Sequence, residues 1–131
     1  MRTLLTCALL LLATACTHTP SSERASTARA GVSVLPNRIT IPGLERPRTV
    51  RLYLPPSYAQ SMRRYPVIYM HDAQNLCDEA TAPFGEWGVD ETLDAIAAQQ
   101  GFEAIVVGIV HGSALRTTEL NPWDHPRFGR G

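Results

Sequence analysis

The chain has 131 residues and a formal net charge of zero, with 12 basic against 12 acidic side chains. Every basic residue is Arg, and apart from Arg63-Arg64 they are scattered. No stripe of positive charge is present to track a phosphate backbone, so a nucleic-acid partner is not expected. Arg63-Arg64 read as a solvated loop end before a strand.

The first residues read as an export signal. Arg2 gives the positive start, and Leu4 to Leu12 give an apolar run too short to span a bilayer as a helix. Leu12-Ala-Thr-Ala-Cys16 then places small residues before a cysteine, the form of a bacterial lipobox in which Cys16 carries the lipid. The alternative is an ordinary signal cut near Ala15, with Cys16 incidental. Thr17 to Ala30 is rich in Ser, Thr, Ala and Arg without an apolar period, and reads as a flexible tether. The expected organisation is a signal peptide over 1–15, a tether over 16–31 and one folded unit over 32–131. That unit holds about 100 residues, enough for one small core but short for a complete α/β hydrolase. Of the three cysteines, Cys7 lies in the signal and Cys16 is the lipid candidate. Cys77 is left alone, so no internal disulfide is expected, and it reads as a small buried hydrophobe.

Ser33 to Ile41 carries β-branched residues interrupted by Pro36, which confines any strand there to an edge or to the part after it. Thr49 to Leu54 alternates, with Val50, Leu52 and Leu54 on one face and Arg51 and Tyr53 on the other. Pro42-Gly43 and Pro55-Pro56 punctuate these two stretches, which are predicted to pair antiparallel at a sheet edge. Val67 to Met70 is a continuous apolar run, as expected of a strand inside a mostly parallel sheet. It runs straight into a polar turn, His71-Asp72-Ala73-Gln74-Asn75.

A helix is predicted next, with Gly88 as N-cap and Asp90 and Glu91 in the first turn, where carboxylates favour the positive end of the helix dipole. Val89, Leu93, Ile96 and Ala97 form its apolar face and Gly101 stops it. Ala104 to Val110 makes a second buried strand. Strand, helix and strand at this spacing make a βαβ unit with a parallel pair. From His111 onward, Pro122, Pro126 and three glycines leave no period, and the segment reads as a loop with a frayed end.

Several of these motifs, in order and over about Arg48 to Trp123, resemble the esterase family of the α/β-hydrolase superfamily that includes esterase D, enterochelin esterase and feruloyl esterase relatives. The matching parts are the proline-led strand Tyr65 to Met70 with its His-Asp-x-Gln-Asn turn, the helix start Trp87-Gly-Val-Asp-Glu91, the strand Val106 to Ile109, and the arginine loop Arg116 to Trp123. The resemblance implies a partial α/β-hydrolase sheet, with antiparallel edge strands followed by a βαβ unit, belonging to the N-terminal part of a serine-type carboxylic ester hydrolase. In such enzymes the Ser sits on a G-x-S-x-G elbow. Gly112-Ser113-Ala114 lacks the flanking glycines and a following helix. Gly31-Val-Ser33-Val-Leu35 has Leu in place of the second glycine and no strand before it. No catalytic residue is therefore assigned, and the chain alone is expected to be a fragment without esterase turnover.

What the resemblance leaves to this segment is half of the oxyanion hole. The loop after the first central strand supplies one backbone N–H, here Gln74 with Ala73 beside it. Ala73 stands where the family often has Gly, so a positive φ there would be restricted. The alternative is an ordinary turn with Asp72 and Asn75 bonded to the backbone. His71, Asp72 and Trp87 are the candidate substrate-binding side chains, and His111 reads as a loop residue or a second lining of the same cleft. His71, Asp72, Cys77, Asp78 and Glu79 match no zinc spacing, so no metal is expected, nor any cofactor. The expected partner is a small-molecule ester. Membrane contact is expected only through Cys16, on a periplasmic or membrane-anchored lipoprotein. The rival function is a non-catalytic lipoprotein that binds a ligand or partner.

Overall fold

The computed structural model describes residues 24–129. The predicted signal, Cys16 and the start of the tether lie outside the described residues.

Pro36 splits the Ser33–Ile41 stretch into two strands with different fates. β1 (Val32–Val34) pairs antiparallel with β4 (Val50–Tyr53), Ser33 facing Leu52. β2 (Ile39–Ile41) instead joins β3 (Arg46–Arg48) in a separate two-stranded ladder, Thr40 facing Pro47. Pro47 has no N–H to give, which suits it to so small a ladder and not to a central strand. β5 (Val67–His71), α1 (Val89–Gln100) and β6 (Ile105–Ile109) complete the expected βαβ unit. β5 and β6 run parallel with Tyr69 facing Val107, and β6 runs antiparallel to β4. The main sheet is mixed, in the order β1–β4–β6–β5.

Among the described residues β5 is not in the interior position that its apolar run predicts. It lies at the sheet edge, with Val67 43 %, Ile68 38 % and Tyr69 74 % exposed. A run apolar on both faces needs covering layers and a neighbour on each side. Among the described residues β5 has only β6. The interior place falls to β6, where Val106 and Gly108 are buried.

α1 is capped as expected by Gly88 and Gly101, both left-handed. Its Leu93 packs with Tyr53, Ala73, Leu76, Cys77 and Val106 in the core. Burial first, then Asp90, pushes the Cys77 thiol up to about 12, so it stays a neutral packing group. Tyr53, on the strand face opposite Val50 and Leu52, is buried at 2 %, and its hydroxyl donates to Asp94 Oδ1 at 2.7 Å.

Two stretches read as loose are pinned by polar partners. From Arg24 onward the expected flexible tether lies along the loop before α1. Arg24 pairs with Glu79, Thr27 with Glu86, and the Arg29 amide with Asp90. Composition suggested a tether because its small polar residues find acceptors only at distant sequence positions. Likewise, the expected loop after β6 contains a 3-10 turn over Ser113–Leu115 and one helical turn, α2 (Arg116–Glu119).

Gly108 lets the post-β5 turn press onto β6. A Cβ at this position would lie 2.8 Å from the Ala73 methyl and 3.0 Å from Leu76 Cδ1. Gly108→Ala is expected to cost about 1–3 kcal/mol by overpacking, read by urea unfolding. Adding Ala73→Gly, which removes the opposing methyl, should recover part of the loss.

Candidate active site

At the carboxyl end of β5 the chain turns sharply on Asp72, whose backbone is left-handed (φ 56°, ψ 42°). A 3-10 turn, Ala73–Asn75, follows immediately, with the Asn75 amide donating to the Asp72 carbonyl at 2.8 Å. A left-handed residue followed by a right-handed turn aims successive amides into one concavity, a geometry that favours anions. The amides of Ala73 and Gln74 donate to no acceptor among the described residues. The positive φ thus falls on Asp72, one of the few side chains that tolerates it, and Ala73 carries none of the strain that its identity suggested.

The Asp72 carboxylate is 7 % exposed as a residue and bonded to neither turn amide. Arg116 grips it with two parallel bonds, Nε to Oδ1 at 2.8 Å and Nη2 to Oδ2 at 2.6 Å. Such a fork is among the strongest polar contacts available to a side chain. It holds the Asp72 carboxyl below its ordinary value of 3.8, against the burial that raises it. Arg116 reads in the sequence only as the start of an arginine loop, because 44 positions separate it from Asp72. The usable signal was a carboxylate at a buried strand end, which demands a cation.

A second ion cluster faces this pair. Glu119 accepts from Arg46 at 2.8 Å and from Arg48 at closer range. These arginines hold its carboxyl low, Arg48 foremost. A Cβ on Gly112 would meet Glu119 Oε2 at 2.4 Å and Arg48 Nη2 at 2.5 Å, so glycine leaves room for the pair. The two ion clusters border a cleft of ≈ 160 Å³, lined also by His71, His111, Ile41, Leu44 and Leu120. This is below the volume of about 300–1,000 Å³ usual for a ligand pocket, and fits one wall of a site better than a whole one.

Of the three predicted substrate-binding side chains, the structure brings two to this cleft, His71 and Asp72. Trp87 is 56 % exposed and does not line it. Its amide donates to the Asn75 carbonyl at 2.8 Å, so its backbone supports the turn while its ring faces solvent. His111 lines the cleft. Its amide approaches Gln74 Oε1 at 3.5 Å, and its Nδ1 accepts from the Ser113 amide at 2.8 Å, which leaves Nε2 to carry the proton of a neutral ring. Ser113 has a positive φ of 53° and is exposed, and its hydroxyl makes no hydrogen bond among the described residues.

The fold is a partial α/β sheet with a polar turn at the carboxyl end of one strand. The chain belongs to the family described as Putative esterase, whose model matches residues 41–130. Three solved structures are similar. The BES protein from Bacillus cereus has a TM-score of 0.54 at 15 % identity, over 86 % of this chain and 42 % of that one. An IroE-like serine hydrolase from Shewanella oneidensis has 0.49 at 24 %, over 76 % and 29 %. A ferulic acid esterase has 0.43 at 24 %, over 60 % and 30 %. The chain therefore spans less than half the length of each. No curated protein matches.

A carboxyl held low in the folded state contributes stability that is fully present above its ordinary pKa and drains away as pH falls through the lowered one. Arg116→Ala should therefore lower the melting temperature at neutral pH, and the gap to the parent chain should narrow below about pH 4. Thermal melts at neutral and acid pH read both effects.

Proposed function

We propose that this chain is the oxyanion-side part of a serine-type carboxylic ester hydrolase acting on a small-molecule ester. The observation that carries the reading is the left-handed Asp72 at the end of β5, followed by two uncommitted amides, in a chain of the esterase family. Ester hydrolysis through an acyl-enzyme forms a negatively charged tetrahedral oxygen twice, once in acylation and once in deacylation. Donors aimed in advance at that oxygen stabilise it without reorganising. Gln74 N–H is the first donor and Ala73 N–H its neighbour. Asp72 and Arg116 fix the turn, and His71 and His111 line the approach.

The 131 residues contain no G-x-S-x-G. On this reading the Ser, its base and its acid lie outside them, and the nucleophile's own amide completes the hole. The chain by itself is then inactive. Export, with lipid at Cys16, belongs to the same proposal and is supported by the apolar run and Leu-Ala-Thr-Ala-Cys16.

The full-length protein should hydrolyse p-nitrophenyl acetate and be inactivated by a phosphonate ester. Gln74→Pro, which deletes the N–H, should lower kcat by about 10²–10³-fold with KM little moved, provided circular dichroism shows the fold retained. Turnover by residues 1–131 alone, or an unchanged kcat in the variant, would overturn the reading. Labelling of cells with a radioactive fatty acid should mark the protein, and Cys16→Ala should abolish the label.

A further inference from the structure

Glu86, Asp90 and Glu91 gather at the start of α1, each offering a carboxylate oxygen within 4.8 Å of the other two. They share one pattern. One oxygen of each faces the segment over 24–30: Glu86 Oε1 accepts from Thr27 Oγ1 at 2.6 Å, Asp90 Oδ2 from the Arg29 amide at 2.9 Å, and Glu91 Oε1 lies 3.5 Å from Arg29 Nε. The other oxygen of each, Glu86 Oε2, Asp90 Oδ1 and Glu91 Oε2, is buried without a hydrogen-bond partner. Asp90 is the decisive member. It is 0 % exposed, and a fully buried carboxylate with one oxygen undonated is a state that proteins avoid. Among the described residues only one side-chain cation, Arg29, is paired with these acids, through Glu91. The helix dipole offers half a charge at most and does not settle the balance.

We infer that Glu86, Asp90 and Glu91 form a binding site for a hard divalent cation, calcium in preference to magnesium. The donor set is all oxygen, which excludes the soft-metal preference for thiolate and imidazole. Two oxygens bound to one calcium at about 2.3–2.6 Å can be no farther apart than roughly 4.6–5.2 Å, and the three carboxylates offer oxygens within 4.8 Å of one another. Magnesium demands a near-ideal octahedral shell, keeps several waters and takes one or two carboxylates, whereas calcium accepts an irregular set of carboxylates. The sequence expectation of no metal rested on His71, Asp72, Cys77, Asp78 and Glu79. The acids that converge are others, and two of them had been assigned to the helix dipole. A cation here would also brace the turn after β5, because the Trp87 amide donates to the Asn75 carbonyl and the Val89 amide to the Leu76 carbonyl. The site stands independently of the proposed hydrolysis.

The competing resolution is a proton shared between Asp90 and Glu91, and burial followed by Asp90 does raise the Glu91 carboxyl. Glu86, the Cys77 thiol and Arg29 also face this pair. Terbium, a luminescent calcium mimic, separates the two in the full-length protein, with Trp87 beside Glu86 in the chain as sensitiser. Emission should appear on tryptophan excitation, and calcium should displace it with a dissociation constant between about 10⁻⁵ and 10⁻³ M. Saturating calcium should raise the melting temperature by about 5 °C or more. Substitution of the buried Asp90 endangers the fold, so the partly exposed Glu86→Gln and Glu91→Gln carry the mutational test. Each should weaken calcium roughly tenfold, since affinity follows ligand charge. Absence of calcium-competed emission from the folded protein, or full binding in the Glu86→Gln/Glu91→Gln double variant, overturns the site. So does a melting temperature that moves with pH but not with calcium, which assigns the cluster to a shared proton.

Discussion

The grip of Arg116 on Asp72 is the constraint from which the rest of the site follows. A strand that ends in a left-handed residue must reverse within one step, and a buried carboxylate at that step must find a cation. Arg116 supplies it from past β6, so the end of one strand and the segment after its parallel neighbour are locked together. That lock holds the Asp72 carbonyl where the Asn75 amide closes on it, and leaves Ala73 and Gln74 with amides unspent. Arg48 and Glu119 repeat the device across the cleft. The two polar clusters, rather than apolar contacts, set the width of the opening between them.

Local chemistry made much of the fold legible. Gly88, the acids after it, the apolar spacing and Gly101 specify α1 without outside help, and its predicted caps are the observed ones. The parallel pairing of β5 with β6 follows from the spacing of strand, helix and strand. Features that depend on distant partners were not legible. β3 is three residues of Arg-Pro-Arg with no strand pattern, and it exists because β2 folds back over Pro42-Gly43 to meet it. The edge position of β5 could not be read from its own residues, since an apolar run states what a strand needs and not what lies beside it. The fork on Asp72 joins residues 44 positions apart, where no local pattern connects them.

Electrostatics ties both ends of the described chain to its middle. Arg24, Thr27 and Arg29 engage the acidic loop before α1, while Arg116 and Glu119 engage Asp72, Arg46 and Arg48. The balanced formal charge conceals these links, because the partners lie far apart in sequence and meet only in space. Individual exposed pairs of this kind contribute little. Pairs whose carboxylates are buried matter more, as with Asp72 and Glu119.

The strapping of the chain from Arg24 also sets a leash. Arg24 lies eight positions after Cys16, a reach of about 26–29 Å at full extension. On the proposed lipid anchor at Cys16, the body would stay within that distance of the headgroups, its strapped side innermost. Esters partitioned at the lipid surface would then meet it more often than those dispersed in bulk water.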